Sequence, residues 1–278
     1  MLKKAMRIGI VAASSPFTRE TAERVIAQAN ALFPDDPPEL YVHPNSFLAH
    51  GHFAGNDAER AEAFLDIAND PAFDALWFAR GGYGACRIAQ RVLDRLEPEA
   101  RKKQYLGYSD AGVLLAGLHK AGCTVAHGPM CQDIVRDGGE AAIDRALRWL
   151  VDRAPDTLEP SLADGRPAAA FNMITFSQIL GTALQPDLTN YILILEEVSE
   201  YLYKIDRTMH HITANPDVRK VAGIRLGRCS DITSNDTDFG MTGEEIVRHW
   251  SSVTNIPFLG AANIGHDTEN RIVPFGSV

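Results

Sequence analysis

No stretch of about 18 or more apolar residues occurs in the sequence, so no segment reads as a membrane-spanning helix. Cysteine is scarce. Cys86, Cys123, Cys131 and Cys229 are the only four in 278 residues, and no two form a Cys-x-x-Cys pair. That argues against a disulfide framework and against a thiolate metal motif, and leaves buried, reduced thiols as the expectation. Positive charge is also short: Lys and Arg total 27 against 36 Asp and Glu, a net charge of −9. So acidic a chain is a poor match for nucleic-acid phosphate or anionic lipid, and no run of Lys and Arg offsets it. A full metal-ligand set is missing too, although His50 and His52 have metal spacing. His50 and His52 flank Gly51 without an evident third ligand, and the adjacent His210 and His211 point different ways on a helix. The glycine-rich segment Arg80-Gly81-Gly82-Tyr83-Gly84 fails as a dinucleotide fingerprint, because the third glycine is replaced by Arg87, and no Walker lysine follows. Neither a metal nor a cofactor is therefore expected. The basic start Met1–Arg7 precedes only a short apolar run, Ile8–Ala13, which reads as a first strand rather than an export signal, so the expected location is the cytoplasm.

Hydrophobic residues make up 45% and charged residues 23%, the range of a globular chain. The first half alternates short apolar runs with amphipathic stretches. Strands are expected at Arg7–Ala13, Leu40–His43, Ala75–Ala79, Gln104–Gly107 and Thr124–Ala126. Helices are expected at Thr18–Leu32, Ala58–Asn69, Ala85–Leu96 and Ala111–Ala121. This alternation predicts an α/β fold with a parallel sheet covered on both faces. Residues 151–170 are turn-rich and read as a linker between a domain at 1–150 and a second at 171–278. The second domain carries expected strands at Asn190–Leu195, Val221–Leu226 and Pro257–Ala261. Its expected helices are Tyr203–Ala214 and Thr242–Ser251, the latter opened by a Thr242/Glu245 capping box.

In doubly wound sheets, functional groups gather beyond the C-terminal strand ends. The turn after Gly107 is the most informative of these. In Gly107-Tyr108-Ser109-Asp110-Ala111 a small residue two before the serine permits a sharp strand-to-helix turn, the pattern of a nucleophile elbow, although Ser109 also fits a plain helix cap. At that helix start the Asp110 N–H could face an oxyanion. The Arg80–Gly84 turn could supply a second such donor or shape a pocket. Glu196-Glu197 ends the run Ile192–Leu195, where a carboxylate could orient a histidine. His266 lies in a loop just past a strand, and His127 is the runner-up base.

Taken in order, these segments resemble the LD-carboxypeptidases, the serine peptidase family that also contains the microcin C immunity peptidases. The resemblance rests on Ala54-Gly55-Asn56-Asp57-Ala58-Glu59-Arg60, Arg80-Gly81-Gly82-Tyr83-Gly84, Gly107-Tyr108-Ser109-Asp110, His127-Gly128-Pro129, Leu195-Glu196-Glu197, Ile205-Asp206-Arg207 and Gly265-His266. It implies a flavodoxin-like, doubly wound N-terminal domain and a smaller β-rich α/β domain. It implies Ser109 as nucleophile, His266 as general base and Glu196 as the acidic member, with the backbone N–H groups of Gly82 and Asp110 as the oxyanion hole. Tyr83 and Asn172 fall in segments expected to line the substrate pocket, and Arg80 is the nearest charged candidate for the substrate carboxylate. The segment Ala169-Ala170-Phe171-Asn172 departs from the family's Gly-Gly-Asn and keeps only Asn172. The implied activity removes the terminal D-alanine of a murein tetrapeptide during cytoplasmic cell-wall recycling, often as a homodimer, with a small peptide as the only partner. An immunity-type peptidase acting on an acyl-sulfamoyl nucleotide is the alternative within the family. A non-catalytic small-ligand binding protein is the alternative outside it, and it would leave Ser109, Glu196 and His266 apart.

Overall fold

The computed structural model describes residues 5–277. Met1–Lys4, part of the basic start weighed above, lie outside them. Among the described residues, ten strands form two sheets. The first contains β1 (Arg7–Val11), β2 (Glu39–Val42), β3 (Ala75–Phe78), β4 (Gln104–Gly107), β5 (Thr124–His127) and β10 (Val273–Pro274), in the order β10-β5-β4-β3-β1-β2. All its pairs are parallel except β10 with β5. The order 2-1-3-4-5 is that of the flavodoxin-like fold, with its switch point between β1 and β3. Every residue of β3 is buried, as an inner strand covered on both faces requires. Around this sheet lie α1 (Arg19–Leu32), α2 (Asp57–Ala68), α3 (Ala85–Leu93), α4 (Gly112–Lys120) and α5 (Gly139–Asp152). Thr18 caps α1, and an Asn56/Glu59 capping box opens α2.

The second sheet is wholly parallel, β6 (Ala168–Asn172), β7 (Ile192–Val198), β8 (Gly223–Ser230) and β9 (Phe258–Ala261), with α6 (Met173–Ile179), α7 (Leu202–Ala214) and α8 (Gly243–Thr254). The Thr242/Glu245 capping box forms as the sequence indicates. One apolar core runs from Phe64 and Leu114 beside the first sheet through Phe171 and Phe176 to Leu195 and Ile246 in the second half. The seam between the sheets is thus packed, and the groups at their strand ends are held in fixed relation.

Three differences from the sequence expectations have physical causes. Helix α5 was not foreseen: its apolar stripe, Ala142, Ile143, Ala146, Leu147 and Leu150, follows a Gly138-Gly139 start that reads as a turn. Gly139 is required there, since a Cβ would lie 2.2 Å from the Asp133 carbonyl oxygen. Strand β6 begins inside the segment read as linker, because Ala168-Ala169-Ala170 has weak strand preference and is held by burial and pairing instead. The cysteines are not uniformly buried: Cys123 and Cys131 are, Cys229 is partly so, and Cys86 is exposed. Cys86 sits off the buried stripe of α3 formed by Ala85, Ile88, Ala89 and Val92. Among the described residues, no helix is long and apolar enough to cross a membrane.

Candidate active site

Ser109 stands at the end of β4, in a short turn that leads into α4, with φ +58°. A left-handed conformation costs a non-glycine residue roughly 1–2 kcal/mol, so the surroundings must impose it. They do so by crowding. Gly107 has no space for a side chain, since a Cβ would lie 2.7 Å from the Phe78 ring. Gly81 backs directly onto the serine, where a Cβ would come 3.0 Å from both Cβ and Oγ of Ser109. The buried Asp110 carboxylate accepts from the Ser14 hydroxyl at 2.5 Å and from the Ala85 N–H at 2.8 Å, tying the turn to the loops after β1 and β3. Burial raises the Asp110 carboxyl above its ordinary value despite these two hydrogen bonds.

The other two members of the predicted constellation come from the second half. Glu196 lies on β7 and is fully buried. His266 lies in the loop after β9, which is fixed by the Arg228–Asp267 ion pair and by the Gly265 N–H donating to Asn270 Oδ1 at 3.2 Å. The structure brings the three together: His266 Nε2 is 3.0 Å from Ser109 Oγ, and His266 Nδ1 is 2.7 Å from Glu196 Oε2. Both separations fall in the hydrogen-bonding range that a nucleophile–base–orienter chain needs, and the separation demanded by a non-catalytic binder is not found. Burial pulls the His266 pKa down. The charge and hydrogen bond of Glu196, helped by Asp133 and Glu197, outweigh that pull and leave it raised.

Gly82 has φ +107°, and a Cβ there would lie 2.1 Å from Ser15 Oγ, so only glycine fits. Among the described residues, neither the Gly82 N–H nor the Asp110 N–H donates a hydrogen bond within the chain. Gly82 lines both cavities that Ser109 lines, and Asp110 follows Ser109 directly in the chain.

Two cavities meet at Ser109. One, about 510 Å³, is lined among others by Tyr83, Ser109, Asn172, Ile174, Glu200 and His266. The other, about 310 Å³, is lined among others by Arg80, Ser109, Gln132, Asp133, Arg136 and His266. Tyr83 is exposed at the rim, with its ring 6.1 Å from Phe53 and 6.2 Å from His52. Asn172 is buried: its Oδ1 caps α6 through the Thr175 N–H, and its Nδ2 donates to Glu197 at 2.6 Å. Arg80 donates one Nη1–H to the Pro16 carbonyl at 3.1 Å. His127 is not brought to the serine as a base. It is 1% exposed, its Nε2 pairs with Asn270 Oδ1 at 3.0 Å, and burial lowers its pKa to about 4.

Sequence reasoning did not commit to Glu197, Arg136 or Cys86, all near the site. Strand alternation sends neighbours to opposite faces, so a Glu-Glu pair at a strand end suggests one carboxylate inside and one outside. A register shift between Leu195 and Glu197 breaks the alternation, and both side chains are buried. Burial raises the Glu197 carboxyl to about 7, with the Glu196 charge adding to it, although Val198, Asn172 and Ile174 all donate to it.

Comparison with known proteins identifies the family of the chain. The sequence profile of the LD-carboxypeptidase N-terminal domain matches residues 8–128, and that of the LD-carboxypeptidase C-terminal domain matches residues 169–278. A putative carboxypeptidase of Synechocystis is 32% identical over 234 residues, covering 82% of this chain and 76% of the relative. The murein tetrapeptide carboxypeptidase of Pseudomonas aeruginosa is 23% identical, covering 97% of this chain and 91% of its own. Among solved structures, the muramoyltetrapeptide carboxypeptidase of Oxalobacter formigenes superposes with a TM-score of 0.79 at 21% identity, over 96% of this chain and 93% of its own. The immunity protein MccF, in complex with glutamyl sulfamoyl guanosine, gives 0.78 at 18%, over 99% and 92%. With both halves matched in order across the length of the chain, this protein belongs to the LD-carboxypeptidase family.

Proposed function

We propose that this protein is a serine carboxypeptidase that removes the terminal D-alanine from murein tetrapeptides. The observation that carries the reading is the unbroken chain Ser109 Oγ–His266–Glu196, with links of 3.0 and 2.7 Å. In the reaction, His266 Nε2 takes the Ser109 proton as Oγ attacks the carbonyl carbon. The carbonyl oxygen becomes an anion held by the Gly82 and Asp110 N–H groups. Glu196 keeps the Nδ1 proton in place and stabilises the imidazolium. When the C–N bond breaks, His266 returns its proton to the departing amine, leaving an ester on Ser109. Water, activated by the same imidazole, cleaves that ester and restores the serine.

The relatives named for murein and muramoyl tetrapeptides support the substrate class. The reading carries with it a cytoplasmic place in cell-wall recycling and a homodimer, which cell fractionation and light scattering would check. Mass spectrometry of a murein tetrapeptide incubated with the protein is the direct test: loss of one alanine, absent with Ser109→Ala, is expected. An unchanged tetrapeptide would defeat the reading. An acyl-sulfamoyl nucleotide belongs in the same assay, because Tyr83 with Phe53 and His52 offers an aromatic rim on which a base could stack. Trp77 and Trp250 do not line the larger cavity. Trp77 is buried and donates to the Pro129 carbonyl, and Trp250 donates to Asp206.

A further inference from the structure

The two cavities beside Ser109 differ in charge. None of the residues lining the larger one is a lysine or arginine, and its wall carries Asp110, Glu197 and Glu200, the last paired with Lys204 at 2.8 Å. The smaller one is lined by two arginines, Arg80 and Arg136, and one carboxylate, Asp133. That carboxylate is already occupied. Its Oδ1 accepts from the Tyr108 hydroxyl at 2.8 Å and from Arg136 Nε at 3.0 Å, and its Oδ2 accepts from the Met130 N–H at 2.9 Å. Asp133 therefore orients the Arg136 guanidinium through Nε. The two Nη groups make no hydrogen bond among the described residues, which leaves the edge that suits a bidentate carboxylate.

Resting on the carboxypeptidase reading, we propose that the smaller cavity receives the residue to be removed and that Arg136, assisted by Arg80, grips its free carboxylate. The larger cavity then holds the acyl portion of the peptide. The charge distribution fixes this direction, since a terminal carboxylate in the larger cavity would face carboxylates with no lysine or arginine in the lining. Size agrees: about 310 Å³ has room for one small residue, and about 510 Å³ suits the longer remainder. His266 lines both cavities, so its imidazolium can hand a proton to an amine departing into the smaller one as the C–N bond breaks.

The test is the preference for a tetrapeptide ending in D-alanine over the same peptide ending in D-alaninamide, measured as the ratio of kcat/KM values. A ratio cancels any general loss of active enzyme. Arg136→Gln should lower it by about 10- to 100-fold, the effect of losing a charge-assisted hydrogen-bond pair, chiefly through KM for the acid. Gln132→Glu, which sets a negative charge in the same cavity without touching the arginine, should lower it as well and decides the matter if the arginine variant does not fold. An unchanged ratio in whichever variants are folded overturns the proposal. If the wild-type protein releases no D-alanine at all, the underlying carboxypeptidase reading fails instead.

Discussion

Replacing Ser109 by glycine, with alanine as the reference, separates the two things this residue does. In both variants the 3.0 Å contact with His266 is lost, at about 0.5–1.5 kcal/mol for a neutral hydrogen bond. Alanine must still adopt φ near +58°, so it keeps the strain of roughly 1–2 kcal/mol. Glycine releases that strain but gains freedom in the unfolded chain worth about 0.5–1 kcal/mol. The difference favours glycine by about 0.5–1 kcal/mol. For a chain of this size that corresponds to a Tm roughly 2 °C above that of the alanine variant. Both should lose turnover by a factor on the order of 10⁶, because the nucleophile is gone. The assay pairs thermal unfolding by circular dichroism with D-alanine release. If the glycine variant melts clearly below the alanine variant, the backbone is not being forced into the left-handed region. If either keeps a tenth of the wild-type kcat, Ser109 is a turn residue and not the nucleophile.

The acid limb of kcat/KM should have its midpoint above the ordinary histidine value of 6.5, because the net effect on His266 is upward and only the neutral imidazole can accept the serine proton. Glu196→Gln should move that midpoint downward, since burial then acts without the opposing charge; a pH–rate profile that does not move would show that Glu196 does not govern the base. Gly81→Ala brings a Cβ 3.0 Å from both Ser109 Cβ and Oγ and should lower kcat by about 10², as expected of a nucleophile displaced by about 1 Å; wild-type kinetics would argue that the serine can relax away. A bulky maleimide on Cys86, exposed and lining the larger cavity, should block peptide cleavage, whereas Cys86→Ala should keep activity and resist the reagent; inhibition that persists in Cys86→Ala would place the sensitive thiol elsewhere.

The legible parts of the fold are those where local chemistry and burial agree. Gln104–Gly107 is a strand at the residues expected, because an apolar run is bounded by a glycine that Phe78 will not let grow a side chain. Ser109 could be singled out from Gly107 two residues before it. Its meeting with Glu196 and His266 could not be derived from spacing, and only the family resemblance suggested it. Arg136 was invisible because its place depends on a short turn, Cys131–Val135, folding back so that Asp133 meets Tyr108. His127 misled for a related reason. It ends a strand, paired with Gly107, but β10 pairs with that same residue and closes it from solvent.

That last strand also explains why His266 needs no domain closure to reach Ser109. The segment carrying His266 leaves β9 in the second sheet and ends in β10 on the first, where Val273 pairs with His127, itself paired with Gly107 at the end of the strand leading to Ser109. Between these anchors, Arg145 on α5 donates to the carbonyls of Thr268 and Asn270 at 2.6 and 3.1 Å. Asn270, fully buried, uses one oxygen to accept from the Gly265 N–H and to pair with the His127 ring. A loop held from both halves by buried and part-buried polar contacts is costly to move, because breaking a buried one leaves an unsatisfied group at about 1–3 kcal/mol. The Ser109–His266 geometry is therefore set in folding, and on the proposed mechanism the organisation that catalysis requires is in place before substrate arrives. On that mechanism, discrimination between substrates comes from the side chains lining the two cavities, Arg136 and Glu200 among them, and not from the assembly of the Ser109–His266–Glu196 chain.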